Sequence, residues 1–446
     1  MEKIKLKVFF PIFLFFGLFG FAEISHSASH YVRQGATGNG SDWTNAYSNL
    51  PDSLTRGDTY YISDGSYGGY TFDDANSGTS VITVKKAIAA DHGTDTGWNS
   101  GYGDGQAVFS DMQFATGYYV IDGQRRNEND WQDVSGYGFR NTGGIYSSAL
   151  NPGPACADNL TVRYMDMGGS AIGNVYSEGN PDSGIYMGGF GEYCNNWTIS
   201  RCHIHNVGIA IQGAGQDGMV VESNFIGPSW SKEAIRGQSR FSNSTIRHNV
   251  MWNACQMDPI EGSSSGCTAE IALWAGDTSG YFSGNQIYGN IIQKTTDESN
   301  SGGAIIVGGD GSNWSGVPAS NTLVYNNTIV GLKEWRSDIL INGGTGNVVR
   351  NNLWADISGD SRYWYVGANT TSNNVIMDTS IFVDYPTDLR LSGATESGFG
   401  LSAPYNTDML NVTRGADGTW DIGAYEYVSG ASDTTSPSPP AGVTVR

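Results

Sequence analysis

Val221-Glu-Ser-Asn224-Phe-Ile226, Ile246-Arg-His-Asn249-Val-Met251, Ile287-Tyr-Gly-Asn290-Ile-Ile292, Val324-Tyr-Asn-Asn327-Thr-Ile329 and Val349-Arg-Asn-Asn352-Leu-Trp354 repeat one short unit. An apolar residue opens it, Asn holds the fourth place, and another apolar residue closes it. Two further copies stand upstream, Val162-Arg-Tyr-Met165-Asp-Met167 and Ile199-Ser-Arg-Cys202-His-Ile204. The fourth places are 165, 202, 224, 249, 290, 327 and 352, so successive copies are 37, 22, 25, 41, 37 and 25 residues apart. A second unit, tending to end in Gly, falls between them: Gly184-Ile-Tyr-Met-Gly-Gly189, Gly208-Ile-Ala-Ile-Gln-Gly213, Glu233-Ala-Ile-Arg-Gly237, Glu270-Ile-Ala-Leu-Trp-Ala-Gly276, Ala304-Ile-Ile-Val-Gly-Gly309 and Asp338-Ile-Leu-Ile-Asn-Gly343.

Two or more short strands per ~22–25 residues, with no helical period, describe an all-β solenoid: a single right-handed parallel β-helix. One coil cannot bury its own apolar side chains, whereas a stack can, each strand bonding to the coils above and below at ~4.8 Å. An Asn at one repeated place suits a ladder of side-chain amides bonded to one another along the axis. A β-propeller blade of ~40–50 residues fits the long spacings and not the short ones.

Composition agrees. The chain has 446 residues and 62 glycines, is 39% hydrophobic and only 15% charged, which disfavours helical bundles and disorder alike. Its formal charge of −20 excludes nucleic-acid binding through general electrostatics. An acidic glycan would need a local cationic patch or a divalent ion to approach.

Residues 1–28 read as a secretory signal peptide, with Lys3, Lys5 and Lys7, an apolar run from Val8 to Ala22 and small residues near Ala28. No other segment is suited to membrane insertion. The β-helix domain is expected over 29–428, capped by a short helix over Thr44–Leu54. Residues 429–446, rich in Ser and Pro, read as a linker or tail. Of five cysteines, Cys255 with Cys267 is the first-choice pair and Cys156 with Cys194 the second, leaving one thiol over.

Tyr31-Val-Arg-Gln-Gly, Gly38-Asn-Gly-Ser-Asp-Trp43, Gly57-Asp-Thr-Tyr-Tyr-Ile-Ser-Asp-Gly-Ser-Tyr67 and Asp421-Ile-Gly-Ala-Tyr-Glu-Tyr427 resemble the opening and the finish of secreted bacterial pectate-lyase-like β-helix proteins. Within that superfamily, Glu233-Ala-Ile-Arg-Gly-Gln-Ser239 followed by Asn243-Ser-Thr-Ile-Arg-His-Asn249 is similar in layout to the chondroitinase B and alginate lyase family. The resemblance implies an exported protein acting on an acidic polysaccharide, with calcium neutralising the uronate. Gln238 stands where that family places its Lys, and Ala269-Glu-Ile-Ala-Leu-Trp274 lacks the expected Arg. From that comparison Glu233 alone carries over, as a metal ligand.

The residues themselves allow several chemistries on a loop-walled outer face of the middle coils. Glu233 and Glu270 both open the second unit of consecutive coils, so they are expected to face solvent about one strand spacing, near ~4.8 Å, apart. Calcium held by them, with Asp258 or Glu261 as further ligands, is one reading. A glycosidase carboxylate pair is another, and two solvated carboxylates a third. Lys232, Arg236, Arg240, Arg247 and His248 form a basic cluster. Lys232, Arg236 and His248 are the candidate base or charge neutraliser for β-elimination, with Arg240, Arg247, Trp230 and Trp274 contacting sugar. His203 and His205 share a strand face that suits a metal, though no third ligand is evident. The expectation is a monomeric polysaccharide lyase, with glycoside hydrolase and non-catalytic glycan binder as rivals.

Overall fold

The computed structural model describes residues 27–147, 156–168, 183–188, 192–229, 233–254, 268–275, 280–295, 303–309, 317–332, 338–357, 364–365 and 368–428. The expected signal peptide (residues 1–26 of it), the tail, Trp230, Lys232, Asp258, Glu261 and the Cys255–Cys267 pair lie outside the described residues. So do most of the loops expected after Asn249 and Asn290.

Three long parallel sheets run along one axis. Sheet A begins at Ser29–Val32 and ends at Ala368–Ser372, sheet B runs from Gly65–Ser66 to Val375–Met377, and sheet C from Tyr70–Phe72 to Trp364–Tyr365. Each coil contributes to A, then B, then C, as a parallel β-helix requires. The first apolar place of the repeat forms the inner column of sheet A, Val162-Ile199-Val221-Ile246-Ile287-Val324-Val349 in exact register. The last place forms that of sheet B, from Met167 through Ile204, Ile226, Met251, Ile292 and Ile329 to Trp354. In sheet C, Ile145, Ile185, Ile211, Ile235, Ile271, Ile305 and Ile339 stack likewise. Together these columns make one buried core.

Between A and B the chain turns on one residue with positive φ. Ser223, His248, Gly289, Asn326, Asn351 and Asn373 hold φ between 53° and 63° there. The next residue is the ladder Asn. Asn224, Asn249, Asn290, Asn327 and Asn352 each donate Nδ2 to Oδ1 of the following Asn, at 2.9, 3.0, 2.9, 2.9 and 2.8 Å, the last reaching Asn374. Each also donates to a sheet A carbonyl one coil earlier, as Asn249 does to Val221 at 2.9 Å. Buried amides thus satisfy both the turn and one another.

The expected helix at Thr44–Leu54 does not form. Tyr47 instead bridges to Val32, with Tyr47 N donating to Tyr31 O and Arg33 N to Tyr47 O, both at 2.8 Å. That extends the backbone, and Pro51 disfavours helical geometry at Leu50. Leu50 and Leu54 enter the core end, while Trp43 packs with Tyr31, Ala46 and Ala87. At the other end, 382–427 folds back over the outer face of sheet B. There Phe382, Leu389, Leu391, Ile422 and Tyr425 cover Phe225, Val250, Ile291 and Leu353. Buried Arg414 fastens this flap by donating to the carbonyls of Asp421, Gly423, Ala424 and Tyr425 at 2.8–3.4 Å. A disulfide joins Cys156 to Cys194, and Cys202 is a buried thiol pushed up to about 12 by its burial.

Candidate functional site

Between sheets B and C, long stretches of sequence separate one strand from the next, at 168–183, 226–235, 252–269 and 293–303. The outer face of sheet C carries a register column: Gln113, Tyr146, Tyr186, Gln212, Arg236, Ala272, Ile306 and Leu340. Tyr146 and Tyr186 are half-buried, as sugar-stacking rings on a surface track would be. Trp274 lies two residues further along, paired in register with Gln238.

Glu233 and Glu270 do not stand on one rung. The sheet aligns Ile235 with Ile271, so Glu270 stands one place before the paired isoleucine and Glu233 two places before it, ahead of the strand Ile235–Ser242. Aligning the two segments on their glutamates misplaces the strand by one residue, which in a sheet exchanges the two faces. The expectation of two solvent-facing carboxylates is corrected as well, since Glu233 is 0% and Glu270 1% exposed. Each has an internal cation. Arg236 Nη2 lies 2.6 Å from Glu233 Oε2, and Lys294 Nζ lies 3.1 Å from Glu270 Oε1. Thr268 N also donates to Glu233 Oε1 at 3.2 Å. Burial raises the Glu270 carboxyl to about 7 despite Lys294, and the nearby Glu233 charge adds to the effect. Lys294 follows Ile291–Gln293 of sheet B and reaches around the corner from the next coil. Sequence spacing gave no hint of it, because 24 positions separate it from Glu270 and it lies outside both repeat units.

The basic cluster is dispersed. Arg236 and Arg240 share the strand Ile235–Ser242 of sheet C, and Arg240 pairs with Asp217 at 3.4 Å. Arg247 belongs to sheet A, where it pairs with Glu222 and donates to the Tyr288 hydroxyl at 2.9 Å. His248 occupies the A–B turn, its ring pushed down to about 3 by burial, then by the charges of Arg247 and Arg414. A coil changes direction between sheets, so neighbours in sequence across a turn face different ways. Arg247 and His248 therefore do not converge on the glutamates.

A third ligand does accompany His203 and His205. Asp166, directly opposite His203 on the preceding coil, lies 3.2 Å by Oδ1 from His203 Nδ1 and 3.0 Å from His205 Nε2. Asp166 is fully buried; desolvation works against its charge, but the two histidines beside it outweigh that effect and hold its carboxyl low. The repeat aligns Asp166 with His203, each in the fifth place of its unit, so the spacing already carried this pairing. Near Gly168, a small cleft opens between Asn141–Gly144, Tyr146, Met167, Ser183 and Val207.

No family model matches the chain, and no curated protein matches it in sequence. Solved structures are similar in fold. Pectate lyase Pel9A is 14% identical over 91% of this chain and 98% of its own, with a TM-score of 0.46. The Streptococcus pneumoniae surface protein and adhesin PfbA is 12% identical over 72% and 91%, at 0.36. A PL6 family polysaccharide lyase from Pseudopedobacter saltans is 12% identical over 84% and 96%, at 0.32. The parallel β-helix itself rests on this chain's own three parallel sheets and their register.

Proposed function

We propose that the protein is exported and acts on an acidic, uronate-containing polysaccharide laid along the outer face of sheet C. Tyr146, Tyr186 and Trp274 would stack on sugars, and the quartet Glu233, Arg236, Glu270 and Lys294 would form the reaction centre. The observation that carries this reading is the Glu270 carboxyl, held near neutrality at about 7 beside a lysine and a Glu233–Arg236 pair. A group of that kind takes or gives a proton at ordinary pH.

In β-elimination, Arg236 would neutralise the uronate carboxylate, which acidifies the C5 proton. Glu270, ionised, would accept that proton. The C5–H electron pair would become the C4=C5 double bond, the C4–O bond would break, and Lys294 would protonate the leaving oxygen. Calcium between Glu233 and Glu270 fits poorly. Among the described residues Arg236 and Lys294 already balance the two carboxylates, while Asp258 and Glu261, the further ligands expected, lie outside them. The step above therefore involves none.

Near-complete burial of both glutamates favours a second reading, a glycan binder without catalysis. Incubation with alginate, pectate and glycosaminoglycans separates the readings. A lyase makes unsaturated ends absorbing in the near ultraviolet, and Glu270→Gln should lower that rate at least 100-fold. Reducing ends without absorbance would indicate hydrolysis, and retention of glycan with neither would indicate binding. Activity abolished by a calcium chelator would refute the metal-free step.

A further inference from the structure

We propose that Asp166, His203 and His205 form a binding site for a divalent first-row transition metal of the Zn2+ type. The three donor atoms, Asp166 Oδ1, His203 Nδ1 and His205 Nε2, lie within 4.8 Å of one another. Around a tetrahedral ion with bonds of ~2.0–2.1 Å, ligand atoms sit about 3.3 Å apart. The observed 3.2 and 3.0 Å separations from Oδ1 need to widen only slightly. The topology builds this geometry. His203 and His205 alternate onto one face of the strand His203–His205, and their rings stack with centroids 4.1 Å apart and planes 20° from parallel. Parallel register then places Asp166 directly across from His203.

Two further observations point to a ligand rather than a closed hydrogen-bond knot. His203 Nδ1 and Asp166 Oδ2 are both buried without a hydrogen bond of acceptable alignment, although His203 is 5% and Asp166 0% exposed. A buried ring nitrogen without such a bond is costly, and a metal on His203 Nδ1 removes that cost. In addition, Gly168 stands in register with His205, where a Cβ would come within 2.9 Å of His205 Cε1 and 3.0 Å of Nε2. Glycine keeps the coordinating edge of that ring clear, and the same residue lines the neighbouring cleft. Outer partners exist too. Asn206 Nδ2 is 3.0 Å from His205 Nδ1, and turning the amide over presents Oδ1 to a ring N–H. Arg140 Nε lies 3.6 Å from Asp166 Oδ2. Two imidazoles and one carboxylate select borderline cations over calcium, which prefers an all-oxygen shell.

Metal-stripped full-length protein should take up one equivalent of Zn2+ in competition with a chromophoric chelator, unaffected by excess Ca2+. Co2+ should give the intense visible bands of a four- or five-coordinate site containing nitrogen. His203→Gln, His205→Gln and Asp166→Asn should each weaken Zn2+ binding at least 100-fold, and Gly168→Ala, which alters no ligand, at least tenfold. Far-UV circular dichroism checks that each variant folds. Should the ligand variants misfold, the wild-type Co2+ spectrum and Gly168→Ala decide the question. Absence of stoichiometric Zn2+ at micromolar concentration, the weak spectrum of an oxygen-only octahedral ion, or unchanged binding in the folded histidine variants would overturn the assignment.

Discussion

Replacing Asn249 by Ala tests whether the amide ladder holds the coils together. Its side chain takes part in four hydrogen bonds, all buried. It donates to Val221 O at 2.9 Å and to Asn290 Oδ1 at 3.0 Å, and it accepts from Asn224 N at 3.1 Å and from Asn224 Nδ2 at 2.9 Å. At ~1 kcal/mol net for each bond, with the partners left unsatisfied, Asn249→Ala should cost about 4 kcal/mol. Asn374, at the end of the ladder and half-buried, accepts from Asn352 N and Nδ2 at 3.0 and 2.8 Å and donates to Val349 O at 2.9 Å. Water can replace part of that set, so Asn374→Ala should cost about 1–2 kcal/mol. Asn249 and Asn290 share one bond, so the double variant should cost about 1 kcal/mol less than the sum of the singles. Denaturant titration followed by far-UV circular dichroism measures the differences, and hydrogen exchange at the Asn224 amide shows whether the loss is local. If Asn249→Ala unfolds within ~1 kcal/mol of the parent, or no more easily than Asn374→Ala, the amides fill the turn without bearing on stability and the reasoning fails.

Glu270 makes stability depend on pH. Its folded carboxyl is raised to about 7, so the unfolded chain ionises first as pH climbs, and stability should fall between pH 4.5 and 7 and then level off. Glu270→Gln should flatten that slope in thermal melts taken across the interval. Arg414→Met takes the donor from buried carbonyls and the cation from the Glu426 carboxylate, 3.6 Å away, which keeps only the backbone N–H groups of Gly415 and Asp421. It should cost about 3–5 kcal/mol and expose the outer face of sheet B, measured as dye binding and as proteolysis within 382–427. Cys156→Ser removes a link closing a 38-residue interval, with an expected loss of about 4 kcal/mol by loop entropy, read in non-reducing denaturant titrations.

The scaffold was legible because each coil offers the same environment at the same place. An Asn after a positive-φ residue recurs at five successive turns from Asn224 to Asn352, so repetition exposes it. Asn374 escaped the pattern because Thr371 stands where the other copies have Val or Ile. The candidate site does not repeat. Lys294 reaches Glu270 from a different sheet and leaves no fixed spacing, whereas Asp166 and His203 share the fifth place of consecutive units and were open to the same repeat alignment. The glutamates were misread for a related reason. Glu233-Ala-Ile and Glu270-Ile-Ala look alike in composition, yet the core isoleucine, not the acid, sets the register. The N-terminal helix failed on a contact that composition cannot reveal, the bridge of Tyr47 to Val32.

Because every rung from Asn224 to Asn352 donates toward the next one, the column has a direction, and any coil bounded by two rungs presents matching ends. A segment such as 225–249 is therefore an interchangeable cassette. Duplicating it would splice an acceptor onto a waiting donor and lengthen the molecule by one layer, so the chain could grow by copying itself without redesigning its interior.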